Sequence, residues 1–294
     1  MKEVLITESF LERLERLELL LKNNVAGAFG GNRRSKSFGS SSEFADRREY
    51  IAGDDITKID WNLYARTEKL YQKLYLDERQ MHTKIYIDTS RSMDYGDGEK
   101  AETAVKLAAA LAYLSIAGME KVSIYTISGG ECIPLVSSVI GKANFFSVIG
   151  KLNSIEFSGD CRISEAILKE SLGFGDGMSI LISDFLTDDD YERAVDCFVD
   201  RRRDLLCIQV LSPDEINPAF TGRIHLYDSE NFEKTYRKNV TREIVAAYRD
   251  AVKYATDRIR NYLMARGADY MLVGTDEDIS DVLFGKMERL GVLK

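Results

Sequence analysis

Asp88-Thr89-Ser90-Arg91-Ser92 places one carboxylate and two hydroxyls at alternate positions, directly after the apolar run Lys84-Ile85-Tyr86-Ile87. Oxygens of this kind are hard ligands. Mg2+ and Mn2+ prefer six of them in an octahedron, keep several waters and need only a few protein groups, so a short turn can seed such a site. A second apolar run, Ile180-Leu181-Ile182-Ser183, also ends in an acid, Asp184. Taken singly, Asp88 reads as the cap of a turn or helix, and Asp184 as the partner of a nearby arginine. Together with the hydroxyl spacing, they point to a divalent metal held where two strands end.

The elements that must position these groups follow from hydrophobic periodicity. Short β-branched runs predict strands over Thr83–Thr89, Val122–Ser128, Met178–Ser183, Leu205–Leu211 and Tyr270–Gly274. Longer helical periods lie between them: Lys100–Ala117, Ala143–Leu152, Ser164–Leu172, Asp189–Arg202 and Thr241–Arg266. Alternation of this kind implies an α/β fold with a mainly parallel, doubly wound sheet, since parallel neighbours need crossover connections. Ligands of such sheets gather at the carboxyl ends of the strands, which is where Asp88 and Asp184 fall.

Ahead of this region the character of the chain changes. Leucines at helical spacing predict an amphipathic helix in residues 1–22. Residues 23–80 combine a Gly/Ser-rich connection with a small β-rich subdomain, in which Leu70 to Tyr75 alternates like a half-exposed strand and Trp61 is expected in the core. Residues 81–294 form the large domain, with an insert around 212–240. Asp54-Asp55 and Asp60 lack the ligand spacing of an EF-hand and read as a turn with ion pairs. Asp188-Asp189-Asp190 reads as a helix N-terminus complementing the dipole.

The motifs resemble the von Willebrand factor A (vWA) family, whose metal-ion-dependent adhesion site (MIDAS) uses D-x-S-x-S, a threonine from a second loop and an aspartate from a third. Asp88, Ser90, Ser92 and Asp184 match. Where the threonine belongs, this chain reads Gly159-Asp160-Cys161-Arg162-Ile163, so the resemblance implies a partly degenerate site with Cys161 in the threonine position. A thiol is a soft, weak ligand for Mg2+, so the alternatives are a weakly bound metal, substitution by Ser158 or Ser164, or a site that has lost its metal dependence. Arg48-Glu49-Tyr50, Gly53-Asp54-Asp55, Ile59-Asp60-Trp61-Asn62, Ala65-Arg66, Lys73, Glu78, Ser92-Met93, Gly96 and Lys100 narrow the resemblance to the bacterial domain-of-unknown-function fifty-eight family. It implies a Mg2+ or Mn2+ cofactor, partnership with a MoxR-type AAA+ ATPase and a client protein, and no catalysis. The chain carries no G-x-x-x-x-G-K-[ST] phosphate loop of its own.

Composition narrows the alternatives. The 294 residues carry a net charge of −8, which argues against general affinity for nucleic acid despite the local cluster Arg33-Arg34-Ser35-Lys36. A nucleic-acid reading would rest on Arg66, Lys69 and Lys73 with Tyr71 and Tyr75 as stacking surfaces; a strand with one solvated face accounts for the same pattern. A metal-dependent hydrolase or phosphatase is the enzymatic alternative, but neither His82 nor His225 falls where a general base is needed. Cys132, Cys161, Cys197 and Cys207 form no C-x-x-C pair and are expected to be reduced. No apolar run is long enough to span a bilayer and no signal segment opens the chain, so the expected location is the cytoplasm.

Overall fold

The computed structural model describes residues 6–24, 44–51, 56–75, 81–94, 98–175, 177–186, 189–218, 222–227 and 235–287. The Arg33-Arg34-Ser35-Lys36 cluster, nearly all of the Gly/Ser-rich connection, Gly53-Asp54-Asp55, Glu78, Gly96 and Asp188 lie outside the described residues. The chain divides into two compact units, one of residues 1–29 with 81–294 and one of residues 30–80. The first helix, α1 (Glu8–Asn24), belongs to the larger unit. It buries Phe10 and Leu14, and its buried Glu18 accepts a 2.8 Å bond from Tyr113 Oη and pairs with Lys142.

The smaller unit contains β1 (Phe44–Glu49), α2 (Trp61–Thr67) and β2 (Tyr71–Tyr75). The two strands pair antiparallel, in line with the alternation of the β2 segment. Asp60 starts α2: its Oδ1 accepts from Leu63 N at 3.1 Å and its Oδ2 from Arg47 Nε at 2.8 Å, so this acid serves as a cap and an ion-pair partner. Trp61 corrects the expectation from sequence. It is 59% exposed, with Tyr64 at 41% set edge-on to it at 6.1 Å, because a seven-residue helix starting at Trp61 turns both rings outward. As the chain's single tryptophan, Trp61 should emit as a solvated indole and be readily quenched by iodide. Trp61→Ala should lower stability by no more than about 0.5 kcal/mol. A blue-shifted, unquenched emission would contradict this placement.

The larger unit continues with β3 (His82–Asp88), α3 (Glu99–Ala117), β4 (Lys121–Ser128), β5 (Glu131–Val139), α4 (Phe145–Leu152) and α5 (Ile163–Lys169). Then come β6 (Met178–Ser183), α6 (Tyr191–Asp200), β7 (Asp204–Leu211), α7 (Pro213–Ile216) and the antiparallel hairpin β8 (Gly222–Tyr227) and β9 (Thr235–Val240). It closes with α8 (Arg242–Ala265), β10 (Asp269–Gly274) and α9 (Ile279–Asp281). Six strands form one sheet in the order β10-β7-β6-β3-β4-β5, parallel throughout except for β5 against β4.

Side chains alternate across this sheet, and each face has its own core. Ile85, Ile87, Ile180, Ile182, Leu206 and Ile208 join the cluster that contains α3 and α4. Tyr86, Leu181, Leu205 and Cys207 join the opposite cluster with α5, α6 and the end of α8. Burial on both faces explains why the central strands read as continuous apolar runs. It also explains why α3 is apolar nearly all round, with Ala104, Leu107, Ala108 and Leu111 all buried. The α/β class expected from the alternation is the one observed.

From β3 the chain winds outward through β4 to β5, and from β6 it winds the other way through β7 to β10. The direction reverses between β3 and β6, so the crevice at their carboxyl ends is the topological switch point of the sheet. Asp88 ends one of these strands and Asp184 follows the other.

Candidate metal centre

Backbone hydrogen bonds fix the turn after β3. Thr89 N donates to Ile127 O at 3.1 Å, Arg91 N to Gly159 O at 3.0 Å and Ser158 N to Thr89 O at 2.8 Å. Gly129 N and Arg162 N link the β4 end to the 160–162 loop in the same way, at 2.9 and 2.7 Å. Three loops, those at 88–92, 128–130 and 158–162, are therefore laced into one surface.

On it, Asp88 is buried, and its Oδ1 accepts from Ser90 N at 2.8 Å while its Oδ2 accepts from Ser183 Oγ at 2.6 Å. The Ser90 and Ser92 hydroxyl oxygens lie 3.0 Å apart. Burial pushes the Asp88 carboxyl above the usual range and the neighbouring Asp184 carboxylate adds to this, against the opposing pull of its serine hydrogen bonds. Asp88 thus acts as a turn cap and at the same time carries a buried charge facing a second acid. Cys161 is buried against it and its thiol hydrogen-bonds to the Asp88 carboxylate; burial and then Asp88 push the thiol far up, so it stays protonated.

The two substitutes for the missing threonine are placed differently. Ser164 donates its hydroxyl to Asp190 O, accepts from Ala194 N at 3.2 Å, and its own N–H donates to Asp189 at 2.7 Å. That hydroxyl is engaged in joining α5 to the start of α6, and Asp190 caps α6 as the acidic strip suggested. Ser158 is exposed and held by its backbone N–H.

Asp184 is buried and bonded to a residue that the sequence did not single out as part of the site. Its Oδ1 accepts from Leu186 N at 3.0 Å and its Oδ2 from Lys100 Nζ at 2.9 Å. The Lys100 ammonium, fully buried, also reaches Glu215 Oε1 at 2.7 Å. Glu215 is the third helical residue of α7, whose N-cap Ser212 forms a reciprocal capping box with it. Burial alone would lower the Lys100 pKa; the Asp184 and Glu215 carboxylates outweigh it and hold the ammonium above the usual lysine value. The partner of Asp184 is therefore a lysine from α3, not an arginine. A legible signal existed: Lys100 sits in the first turn of a helix, where the dipole disfavours a cation, so it needs acids nearby. The backbone of Asp184 is fixed too, since Gln209 Nε2 donates to its carbonyl at 2.8 Å and Tyr270 Oη in turn donates to Gln209 at 2.6 Å. Phe185 follows in the left-handed region, φ 53°, its ring edge-on to Tyr191.

These residues fit a small divalent cation. Two adjacent corners of a Mg2+ octahedron with bonds of about 2.1 Å lie about 3.0 Å apart, the separation of the two serine oxygens. The hydrogen bonds that Asp88 accepts come from neutral donors, leaving its charge to be matched by a cation. Among the described residues no three His, Cys, Asp or Glu side chains gather as a ligand cluster, so a metal here would depend on the serine hydroxyls. The structure brings Asp88, Ser90, Ser92, Cys161 and Asp184 to one crevice.

A doubly wound α/β sheet with an acid-and-hydroxyl turn at its switch point defines the class of protein. The chain belongs to the family described as "Protein of unknown function DUF58", whose model matches residues 46–258. An uncharacterized protein of Mycobacterium tuberculosis is 28% identical over 295 residues, covering 95% of this chain and 90% of that protein. Among solved structures, BatB from Bacteroides thetaiotaomicron overlays with a TM-score of 0.43 at 15% identity, covering 72% of this chain and 99% of that one. The SpRpn10 VWA domain overlays with a TM-score of 0.40 at 10% identity, covering 71% and 95%. Among the described residues no helix is long and apolar enough to cross a membrane.

Proposed function

We propose that this chain is a non-catalytic, metal-assisted protein-binding module. Ser90, Ser92 and Asp88 hold Mg2+ or Mn2+ with Asp184 in support, and the cation offers a remaining position to a carboxylate of the bound partner. The observation that carries this reading is the convergence of two buried acids and two serine hydroxyls 3.0 Å apart at the switch point of the sheet. Mg2+ keeps several waters and exchanges them for oxygen donors, which suits recognition of an acidic side chain. Cys161 supplies no ligand in this arrangement; its protonated thiol orients Asp88 instead.

The partner we infer is a MoxR-type AAA+ ATPase acting on a client protein in the cytoplasm, with ATP turnover confined to the ATPase. This rests on the motif resemblance and on family membership. Titration calorimetry with Mn2+ tests the metal: the native chain should bind one ion saturably, and Asp88→Ala should give no heat above dilution. Capture of a purified MoxR-type ATPase should then fall in EDTA and in Asp88→Ala alike. Identical Mn2+ heats from the native chain and Asp88→Ala would overturn the metal role.

A further inference from the structure

We infer that Lys100 and Glu215 set the affinity of the metal centre from outside its ligand set, an inference that rests on the metal reading above. Lys100 brings one ammonium that touches the Asp184 and Glu215 carboxylates, at 2.9 and 2.7 Å, and Asp184 in turn faces the buried Asp88. Lys100 is fully buried and its partners are nearly so, so these charges act in a medium that screens them far less than water does.

Lys100 is not a ligand, since an ammonium has three donors and no acceptor. Its effect on a bound cation is twofold: it draws on the Asp184 carboxylate that the cation also needs, and it repels the cation directly. Both effects weaken binding, keeping the ion exchangeable. Glu215 acts with the opposite sign, taking part of the ammonium's charge through Oε1 while its Oε2 stays on the α7 cap at Ser212 N. A residue pair that never meets the metal thereby tunes it, and α7 supplies half of the pair.

Mn2+ affinity measured by calorimetry on three chains tests this: native, Lys100→Met and Glu215→Gln. Lys100→Met should bind about tenfold more tightly, because the site becomes more negative. Glu215→Gln should bind roughly fivefold more weakly, since the ammonium then rests on Asp184 alone. Glutamine also completes a capping box, so Glu215→Gln keeps the start of α7 and decides the matter even where Lys100→Met does not fold. Opposite signs are the signature of charge tuning, because a purely structural role would weaken both variants. Saturable binding by Lys100→Met but not by the native chain would support the inference while removing the native metal reading. Affinities within about twofold of native in both variants would overturn the inference and leave the metal reading standing. Absence of binding in all three would overturn both.

Discussion

Lys100→Met is expected to lose about 3–5 kcal/mol of stability in EDTA, because it leaves two carboxylates in the interior without their cation. Methionine nearly matches the lysine stem in length and bulk, so the loss reports charge rather than a cavity. In the native chain the ammonium donates to Asp184 Oδ2 and Glu215 Oε1, and it bridges α3, the end of β6 and α7. Removing one member of a buried ionic group costs more than the group contributes as a whole. Thermal unfolding in EDTA should show a midpoint lower by about 10 °C for a chain of this size. Mn2+ should restore part of the loss, by mass action on the folded state. A midpoint within about 2 °C of native would mean that the carboxylates are solvated, against the burial of Asp184.

Acid should weaken the fold through His82. Burial, and then the neighbouring cations Lys84, Arg203 and Lys121, push this imidazole down from 6.5 to about 4, while its Nε2 shares a 2.9 Å hydrogen bond with Ser123 Oγ. Arg203 is itself locked beside it, donating to Ser179 Oγ at 2.8 Å, His82 O at 2.8 Å and Met178 O at 3.0 Å. The unfolded chain takes up its histidine proton near pH 6.5 and the folded chain only near pH 4. Between those values the unfolded state binds more protons, so stability falls as pH falls. The loss attributable to this half-buried ring is about 2 kcal/mol across that window, discounted for its partial exposure. Urea unfolding at pH 7 and pH 4 should therefore show a smaller decline for His82→Gln than for the native chain. Other titrating groups, Asp88 included, are common to both chains and cancel in the difference. Parallel declines would remove His82 as the cause.

The parallel core was legible because its strands are buried on both faces and read as unbroken apolar runs: β6 coincides with the predicted Met178–Ser183, and β3, β4, β7 and β10 each begin within a residue of their predicted starts. β5 was not predicted. Pro134 and the exposed Ile133 break its pattern, and proline is tolerated there because β5 is the antiparallel edge of the sheet. The β8–β9 hairpin was read only as an insert. In the smaller unit β2 followed from its alternation, whereas α2 and its outward Trp61 did not, since an aromatic side chain carries the same apolar signal whether it packs or is presented.

At the candidate site, the acids and hydroxyls were visible because they follow strands at short, fixed spacing. Lys100, Ser183 and Glu215 were not, for different reasons. Lys100 reaches Asp184 and Glu215 across 84 and 115 residues of chain, through packing that periodicity does not encode. Ser183 was read as the last residue of a strand, and only the register of β6 beside β3 turns its hydroxyl onto Asp88.

The lacing of the 88–92, 128–130 and 158–162 loops has a kinetic consequence. Amides of Thr89, Arg91, Gly129, Ser158 and Arg162 all donate across loop boundaries, and the Asp88 and Thr89 side chains add to this backbone lacing of the turn. A cation arriving at the proposed centre would meet loops already joined to one another, and the ion must shed water to load. Mg2+ dehydrates reluctantly, so on the proposed metal reading the pace of loading would be set by solvent exchange on the ion.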